Sequence, residues 1–324
     1  MTSTERVRNT ILGKPVDRQP IYGWVGANIP EKINERWGSL LNFEDQYEFD
    51  LIHLFSGPPT FDGNRIEQVR EEVGELTPDI FLEHPEFWLP ADRDEDYASL
   101  KAEVDFYKNH NDRFCYVQTP GFLEQFNGVF GIQNHLMYLL LYHDELMEIY
   151  RMQKEWTKTY VDHCVKTGVD MIHISDDWGS QKDLMFSPAL WWEMIYPNMK
   201  EVVDRAHQDG CLCSLHSDGC ITKVVDGVAQ LGLDLVHPWQ ENANMPYDLY
   251  LEKYADKFAI MGGINIQNAL GIMNREDLEK DIRRVFKTLR GKRWVCCTTH
   301  FVQNHCTIAD LEFAYDLIYQ LARE

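Results

Sequence analysis

The sequence predicts an α/β fold, a (β/α)8 TIM barrel with a long insertion after the second strand, formed by a single domain over residues 1–324. Short apolar runs alternate with longer amphipathic stretches, and most of the runs end in polar residues or glycine. The length suits one large barrel. An open doubly wound sheet is the alternative, but no G-x-G-x-x-G pattern follows the first run. The predicted strands are residues 20–24, 50–55, 114–118, 171–174, 213–216, 235–237, 258–261 and 294–297.

Helical periodicity is clearest in four stretches between these strands. They are residues 143–167, 188–209, 277–289 and 308–322. The connection at residues 56–113 is abnormally long and rich in aromatic residues. Long insertions of this kind often form a lid or a binding loop, and the alternative is a subdomain that packs a small core of its own. The sequence leaves both alternatives open.

Charge and hydropathy exclude several classes of partner. The chain has 52 acidic and 31 basic residues and a net charge of −21, which would repel nucleic acid and anionic membranes. Its most apolar run, residues 136–142, is too short to span a membrane.

The eight cysteines lie in apolar runs without the spacing of a disulfide scaffold. With no apolar signal core in residues 1–18, we expect a cytoplasmic protein with reduced thiols.

Polar side chains concentrate where the predicted strands end. In a (β/α)8 barrel the functional site lies at the carboxyl ends of the strands, and the strand bodies here are apolar. We therefore expect the site at these ends. The residues found there are Trp24, Gln118, Asp176, Asp177, His216, Asp218, His237, Glu241, Gly262, Gly263 and His300.

His216 and Asp218 follow one strand and are the first candidates. Alternate strand residues share a face, so both side chains can point to the barrel mouth. An imidazole and a carboxylate can bind zinc or act as an acid/base pair. An isolated H-x-D is commonly only a local hydrogen bond, but its position at a strand end favours function. His300 closes the last strand, after Cys296 and Cys297, of which at most one faces inwards.

Two further acidic sites follow other strands. The adjacent carboxylates of Asp176 and Asp177 can bind a cation, raise one another's pKa or hydrogen-bond a substrate. The alternative is a capping turn before the helix that begins near Pro188. Their position favours a functional role for at least one of them. Glu241 could supply another oxygen ligand, although a lone loop glutamate is more often only solvated.

Over nearly its whole length the chain resembles the uroporphyrinogen decarboxylase superfamily. The order and spacing of several short pieces carry this resemblance. It implies a distorted (β/α)8 barrel with its site at the carboxyl ends of the strands. The pieces are Arg6-Val7, Asp17-Arg18-Gln19-Pro20, Asp176-Asp177-Trp178-Gly179-Ser180-Gln181, Ser187-Pro188, Pro197, His216-Ser217-Asp218-Gly219, Gly232-Leu233-Asp234, Pro238, Gln240, Gly262-Gly263-Ile264, and His300 ahead of Thr307.

One departure separates the chain from the true decarboxylases of the superfamily. Those enzymes carry an arginine-rich, methionine-containing segment directly after the first strand, which binds the carboxylates of the substrate. Here residues 23–28 read GWVGAN, without an arginine. A porphyrinogen with many carboxylates would lack its counter-charges, so we do not expect decarboxylation of that substrate.

The methyltransferases of the superfamily use H-x-C and a distant cysteine as zinc ligands, with a glutamate between them as a possible fourth. His216 matches the histidine, whereas Asp218 replaces the first cysteine. Glu241 lies near the glutamate position. His300 matches the distant cysteine most closely, with Cys297 as a nearby alternative. The resemblance thus implies a zinc site with harder ligands than a thiolate pair.

The chain also resembles the first methyltransferase of anaerobic O-demethylase systems, which moves a methyl group from a methoxylated, often aromatic donor to the cobalt(I) of a corrinoid protein. We expect this corrinoid-dependent activity, with His216, Asp218, Asp177 and His300 as catalytic residues. A metal or a general acid there would stabilise the departing oxygen. No D-x-H-x-x-G corrinoid motif is present, so we expect the corrinoid on a partner protein. The residues expected to bind the methyl donor are Trp24, Asp176, Gln181 and Phe126.

Two other functions stay open at this stage. One is a decarboxylase or lyase that acts on a small substrate. The other is a non-catalytic barrel that binds a corrinoid or a similar tetrapyrrole, in which His216, Asp218 and His300 would be separated or blocked. Demethylation that depends on a cobalt(I) corrinoid protein would distinguish the methyltransferase from both.

Overall fold

A computed structural model of the chain describes all 324 residues, Met1–Glu324. The chain divides into two compact units: unit 1 comprises Met1–Ile52, Tyr107–Cys115 and Asp234–Glu324, and unit 2 comprises His53–Phe106 and Tyr116–Leu233. The alternation of strands and helices confirms the predicted α/β class of (β/α)-barrel type. The strands are β1 (Leu51–Leu54), β2 (Phe114–Pro120), β3 (Met171–Ser175), β4 (Leu212–His216), β5 (Leu235–His237), β6 (Ala259–Ile264) and β7 (Trp294–Thr298).

Fifteen α-helices and a few short turns connect the strands. No helix combines the length and the apolar character that crossing a membrane requires. The helices are α1 (Ser3–Ile11), α2 (Pro30–Trp37), α3 (Leu40–Gln46), α4 (Gly63–Val73), α5 (Pro78–Leu82), α6 (Ala98–Asn111), α7 (Leu123–Phe130), α8 (Ile132–Leu141), α9 (His143–Thr167), α10 (Pro188–Leu190), α11 (Tyr196–Gln208), α12 (Val225–Leu231), α13 (Tyr247–Lys253), α14 (Arg275–Leu289) and α15 (Ile308–Leu321).

In unit 2, β2, β3 and β4 pair in parallel. Gln118 lies opposite His173, and Ser175 lies opposite His216. Because alternate residues share a face, these polar side chains line one face of the sheet. Helices α9 and α11 pack against each other beside it.

In unit 1, β5, β6 and β7 pair in parallel. The first predicted strand shortens there to a bridge beside β7. The Tyr22 N–H donates to the Cys296 carbonyl at 2.8 Å, and the Cys296 N–H donates to the Pro20 carbonyl at 3.1 Å. The Trp24 N–H then donates to the Thr298 hydroxyl at 2.9 Å instead of to a backbone carbonyl, and the ladder ends.

The predicted helix at residues 188–209 is interrupted. Between α10 and α11 a π-helical turn spans Trp191–Ile195, in which the Tyr196 N–H donates to the Trp191 carbonyl, five residues earlier. Pro197 follows directly and has no N–H to continue the regular ladder. A proline at this position therefore accounts for the wider turn.

The long insertion between β1 and β2 builds a small aromatic core in unit 2. Phe81 and Phe87 are buried, with ring centroids 5.2 Å apart, and Phe81 lies 5.8 Å from Phe126 of α7. This packing favours the small-core alternative for those aromatic residues. The start of the insertion, Gly57 to Thr60, instead lines a cleft.

A buried ion network ties the N-terminal segment to β1 in unit 1. Asp50 is completely buried and accepts hydrogen bonds from Arg6 at 2.6 Å, Arg18 at 2.7 Å and the Ile21 N–H at 2.8 Å. Arg6 also pairs with Asp17 at 2.7 Å. The two arginines compensate the buried charge of Asp50, so the N-terminal residues that resemble the superfamily have a structural role here.

Asp50→Asn should lower the free energy of unfolding by about 3–5 kcal/mol, because it leaves Arg6 and Arg18 without their buried counter-charge. Urea denaturation of the full-length chain measures this change. Asp105→Asn is the matched control: Asp105 is exposed and pairs with Lys101 on α6, so its loss should change stability by less than about 0.5 kcal/mol. Equal effects of the two substitutions would contradict a structural role for the network.

Candidate active site

The candidate site in unit 2 forms where β3 and β4 end side by side. Asp176 and Asp177 continue from β3, and Asp218 follows His216 at the end of β4. Ser175 and His216 are paired in register, and the Asp176 N–H donates to the His216 carbonyl at 2.9 Å. The two loops therefore leave the sheet next to each other.

His216, Asp177 and Asp218 converge at this point. The Nε2 atom of His216 lies 3.7 Å from Oδ1 of Asp177 and 4.0 Å from Oδ1 of Asp218. The Asp218 N–H donates to the same Asp177 oxygen at 2.7 Å. The His216 side chain is 5% exposed, whereas the carboxylates of Asp177 and Asp218 are 32% and 26% exposed. The structure thus gathers three of the four predicted catalytic residues within one unit.

Two glycines allow the loops to interlock. A Cβ atom on Gly179 would lie 2.6 Å from the Cys220 nitrogen, and one on Gly219, at φ +79°, would lie 2.5 Å from the Ser180 carbonyl oxygen. The Cys220 N–H donates to this same oxygen at 2.8 Å. Only glycine permits such close backbone contact, which fixes Asp177 and Asp218 relative to each other.

Asp176 is completely buried and faces helix α7. Its carboxylate accepts hydrogen bonds from the Glu124 N–H and from Nε1 of Trp178, each at 2.8 Å. A Cβ atom on Gly121 would lie 2.3 Å from the Asp176 Cβ, so the glycine makes room for this residue. Burial raises the pKa of Asp176 to about 6. Asp176 positions the start of α7 in this structure, and its predicted contact with a substrate stays a prediction.

Glu124 is a further acidic residue of the site that was not among the residues predicted from the sequence. Its carboxylate accepts a hydrogen bond from the Ser175 hydroxyl at 2.7 Å. Burial, reinforced by Asp177, raises the pKa of Glu124 to about 7. Burial, with Asp177 and Glu124 nearby, raises the pKa of Asp218 to about 8. The one available signal was an isolated acid in the apolar stretch that follows β2.

A column of rings continues from His216 along the strands of unit 2. The ring centroids of His173 and His216 are 6.0 Å apart, and those of His173 and Tyr116 are 5.2 Å apart. Tyr116 stacks on His53 at 4.4 Å. His173 also contacts the Ser214 hydroxyl at 2.7 Å. His53 and His173 lie within strands whose other residues are mostly apolar, so the sequence pattern did not mark them as site residues.

The other predicted residues around His300 lie in unit 1. Trp24 is almost completely buried, and its ring lies 5.7 Å from His300 and 4.4 Å from His237. Cys296 and Cys297 are both completely buried. Burial raises the pKa of the Cys297 thiol, and its predicted role as an alternative ligand stays a prediction.

Glu241, also in unit 1, is held by Arg284. The guanidinium donates to both carboxylate oxygens, at 3.2 and 2.8 Å, and also to Asp281 at 2.8 Å. These three residues line a cavity of about 170 Å³. Glu241 would have to exchange its arginine for a metal, and its predicted role as a ligand stays a prediction.

Two predicted donor-binding residues of unit 2, Gln181 and Phe126, have different surroundings. Gln181 is exposed in the turn that follows Gly179. Phe126 is completely buried, with its ring 5.6 Å from Phe61 and 5.7 Å from Tyr150. Their contacts with a methyl donor stay predictions.

The raised pKa values of Glu124, about 7, and Asp218, about 8, predict how stability depends on pH. The folded protein keeps these protons to a higher pH than the unfolded chain does. The free energy of unfolding should therefore fall as the pH rises from about 5 to about 8. Asp218→Asn removes one of these groups and should make the fall shallower, as measured by urea denaturation at stepped pH with a chelator present. The exposed Asp248→Asn should keep the wild-type slope, and an unchanged slope in Asp218→Asn would contradict the prediction.

Comparison with known proteins identifies the family. A model of the family described as uroporphyrinogen decarboxylase (URO-D) matches residues 127–321. A methyltransferase from Methanosarcina mazei has a similar fold, with a TM-score of 0.66 at 13% identity over 99% of this chain and 98% of that one. A B12-independent methionine synthase from Shewanella sp. W3-18-1, in complex with selenomethionine, gives a TM-score of 0.50 at 13% identity, over 96% and 94% of the two chains. No curated protein sequence matches significantly. The chain belongs to the uroporphyrinogen decarboxylase family of (β/α)-barrel enzymes.

Proposed function

We propose that the chain is a methyltransferase that moves a methyl group from a methoxylated donor to the cobalt(I) of a corrinoid protein. The observation that carries the proposal is the convergence of His216 with Asp177 and Asp218 at the carboxyl ends of adjacent strands. Membership of the family and the similar fold of a Methanosarcina mazei methyltransferase support the same class of reaction.

The reaction needs assistance at the departing oxygen. When the methyl group moves to cobalt(I), the C–O bond breaks and an alkoxide or a phenoxide, both poor leaving groups, has to depart. A positioned acid that protonates this oxygen lowers the barrier. His216 or Asp218 would hold such a proton, and Oδ1 of Asp177 lies 3.7 Å from Nε2 of His216.

Two of these side chains, His216 and Asp218, would also suit a zinc ion. Bonds of about 2.1 Å in a tetrahedral site separate the ligand atoms by about 3.4 Å. Nε2 of His216 lies 4.0 Å from Oδ1 of Asp218, slightly more than this spacing. An imidazole and a carboxylate are both ligands that zinc accepts. When bound, zinc would act as a Lewis acid on the departing oxygen, and His300 and Glu241 remain the further ligands that the family resemblance implies.

The residues after the Pro20–Tyr22 bridge argue against a porphyrinogen substrate. Tyr22, Trp24 and Val25 are buried, and residues 23–28 include no arginine. Bidentate arginine contacts are the usual means of binding several carboxylates at once. This segment therefore lacks the counter-charges for uroporphyrinogen.

His216→Ala and Asp218→Asn should each reduce methyl transfer to a cobalt(I) corrinoid by about 100-fold or more, because each removes a group that assists the departing oxygen. Single-turnover absorbance of the corrinoid measures the rate. His110→Ala, an exposed histidine paired with Asp45 in unit 1, should retain the wild-type rate. Wild-type transfer by both site variants would refute the proposed mechanism.

Elemental analysis of protein purified without chelators distinguishes zinc-assisted from acid-assisted departure of the oxygen. We expect about one zinc per chain in the wild type and a loss of zinc in His216→Ala. If the wild type holds no stoichiometric zinc and chelation leaves transfer unchanged, the metal role must be dropped. His216 and Asp218 would then act as the acid pair alone.

Uroporphyrinogen should release no carbon dioxide above background when it is incubated with the protein, because its carboxylates would find no arginine after the Pro20–Tyr22 bridge. Radiolabelled substrate measures the release. Enzyme-like turnover would overturn the methyltransferase proposal in favour of decarboxylation.

A further inference from the structure

Unit 2 contains a cleft of about 500 Å³ beside the ends of β2 and β3. Phe55, Trp156 and Tyr160 form an aromatic wall, and Gln118, Glu124 and Ser175 form a polar floor. The volume is that of a small-molecule site. Ser175 is paired in register with His216, so the floor adjoins the candidate active site.

Hydrogen bonds hold the aromatic wall in place. The rings of Trp156 and Tyr160 stack with centroids 5.3 Å apart. The single hydroxyl hydrogen of Tyr160 can be donated to the carbonyl of Ser56, at 3.0 Å, or to that of Gln118, at 3.2 Å. Nε1 of Trp156 donates to the Leu89 carbonyl at 2.8 Å. Because the polar atoms of both rings are satisfied within the protein, the wall presents a preformed apolar face to a ligand.

Gly128 of α7 keeps part of the cleft open. A glycine inside a helix costs about 1 kcal/mol relative to alanine. Packing does not require this glycine, because a Cβ atom at this position would meet no atom within 4 Å. Gly128 is exposed and lines the cleft, so a larger side chain at this position would take up open space at the cleft.

The lining of the cleft is acidic and includes no lysine, arginine or histidine. Glu124 is the one carboxylic acid of the lining, and Asp177 lies near it. A carboxylate on the ligand would find no counter-charge in this lining, which disfavours its binding. An uncharged ring with oxygen substituents would stack on the wall and find hydrogen-bonding groups at the floor.

We propose that this cleft binds the aromatic ring of the methyl donor and selects methoxyarenes that carry no carboxylate. The inference rests on the proposed methyltransferase function, which it narrows to a class of donor. Gln118, Glu124 and Ser175 face the oxygen substituents, and the space at Gly128 admits the ring.

Isothermal titration calorimetry without a corrinoid tests the cleft separately from methyl transfer. The probes are 2-methoxyphenol and its carboxylated analogue 4-hydroxy-3-methoxybenzoate. We expect the uncharged probe to bind the wild type about tenfold more tightly or better. Equal affinity, or tighter binding of the carboxylated probe, would overturn the selectivity.

Gly128→Leu should fill the cleft and weaken binding of 2-methoxyphenol about tenfold or more, without lowering the melting temperature. Gly63→Leu is the matched control, since Gly63 is exposed in the first turn of α4, has no atom within 4 Å of its Cβ position and lies off the cleft. The control should bind like the wild type. Unchanged binding by Gly128→Leu would overturn the assignment of the cleft.

Gln125→Arg adds a cation to the lining and should improve binding of the carboxylated probe about tenfold. No improvement would contradict the charge argument.

Selective binding without any transfer to cobalt(I) would leave the cleft assigned and refute only the methyltransferase function. Methyl transfer by Gly128→Leu with an unchanged KM for the donor would refute only the assignment of the cleft as the donor site.

Discussion

The parallel pairing of β3 with β4 is the constraint on which the candidate site depends. It places Ser175 opposite His216 and lets the Asp176 N–H donate to the His216 carbonyl. A register shift of one residue would turn every side chain of one strand to the other face of the sheet. The close backbone contact between Gly179 and Gly219 then fixes the positions of the two loops that follow these strands. The position of each acidic side chain thus follows from backbone hydrogen bonds formed further down the sheet.

Acidic side chains that are wholly or partly removed from solvent form two groups with opposite effects on stability. Asp50 lies between two arginines and a backbone N–H, which compensate its charge. Glu124 and Asp218 have raised pKa values because burial and neighbouring acids oppose their ionisation. The first arrangement stabilises the fold, whereas the second opposes it at neutral pH. Acids that lower stability in this way, beside a cleft, are typical of functional sites.

Local sequence patterns were enough to predict most of the strands, helix α9 and three residues of the candidate site. Seven of the eight predicted strands form, and α9 spans the predicted residues, because hydrophobic periodicity reports directly on burial. Asp177, His216 and Asp218 could be found because they directly follow strands. Glu124 and Gly128 could not, because helix α7 reaches the site only through tertiary contacts such as the one between Asp176 and the Glu124 N–H. The first predicted strand shortened because a side chain, the Thr298 hydroxyl, accepts the next hydrogen bond.

Two separate parts of the chain lack groups that bind anions. In unit 1, residues 23–28 contain no arginine, although this is the segment with which the related decarboxylases bind carboxylates. In unit 2, the cleft beside β2 and β3 has an acidic floor and no basic side chain. For the cleft, this composition agrees with the uncharged ligand that we propose, because an uncharged ring would gain nothing from a cation there. A buried arginine without an anionic partner would also destabilise the fold.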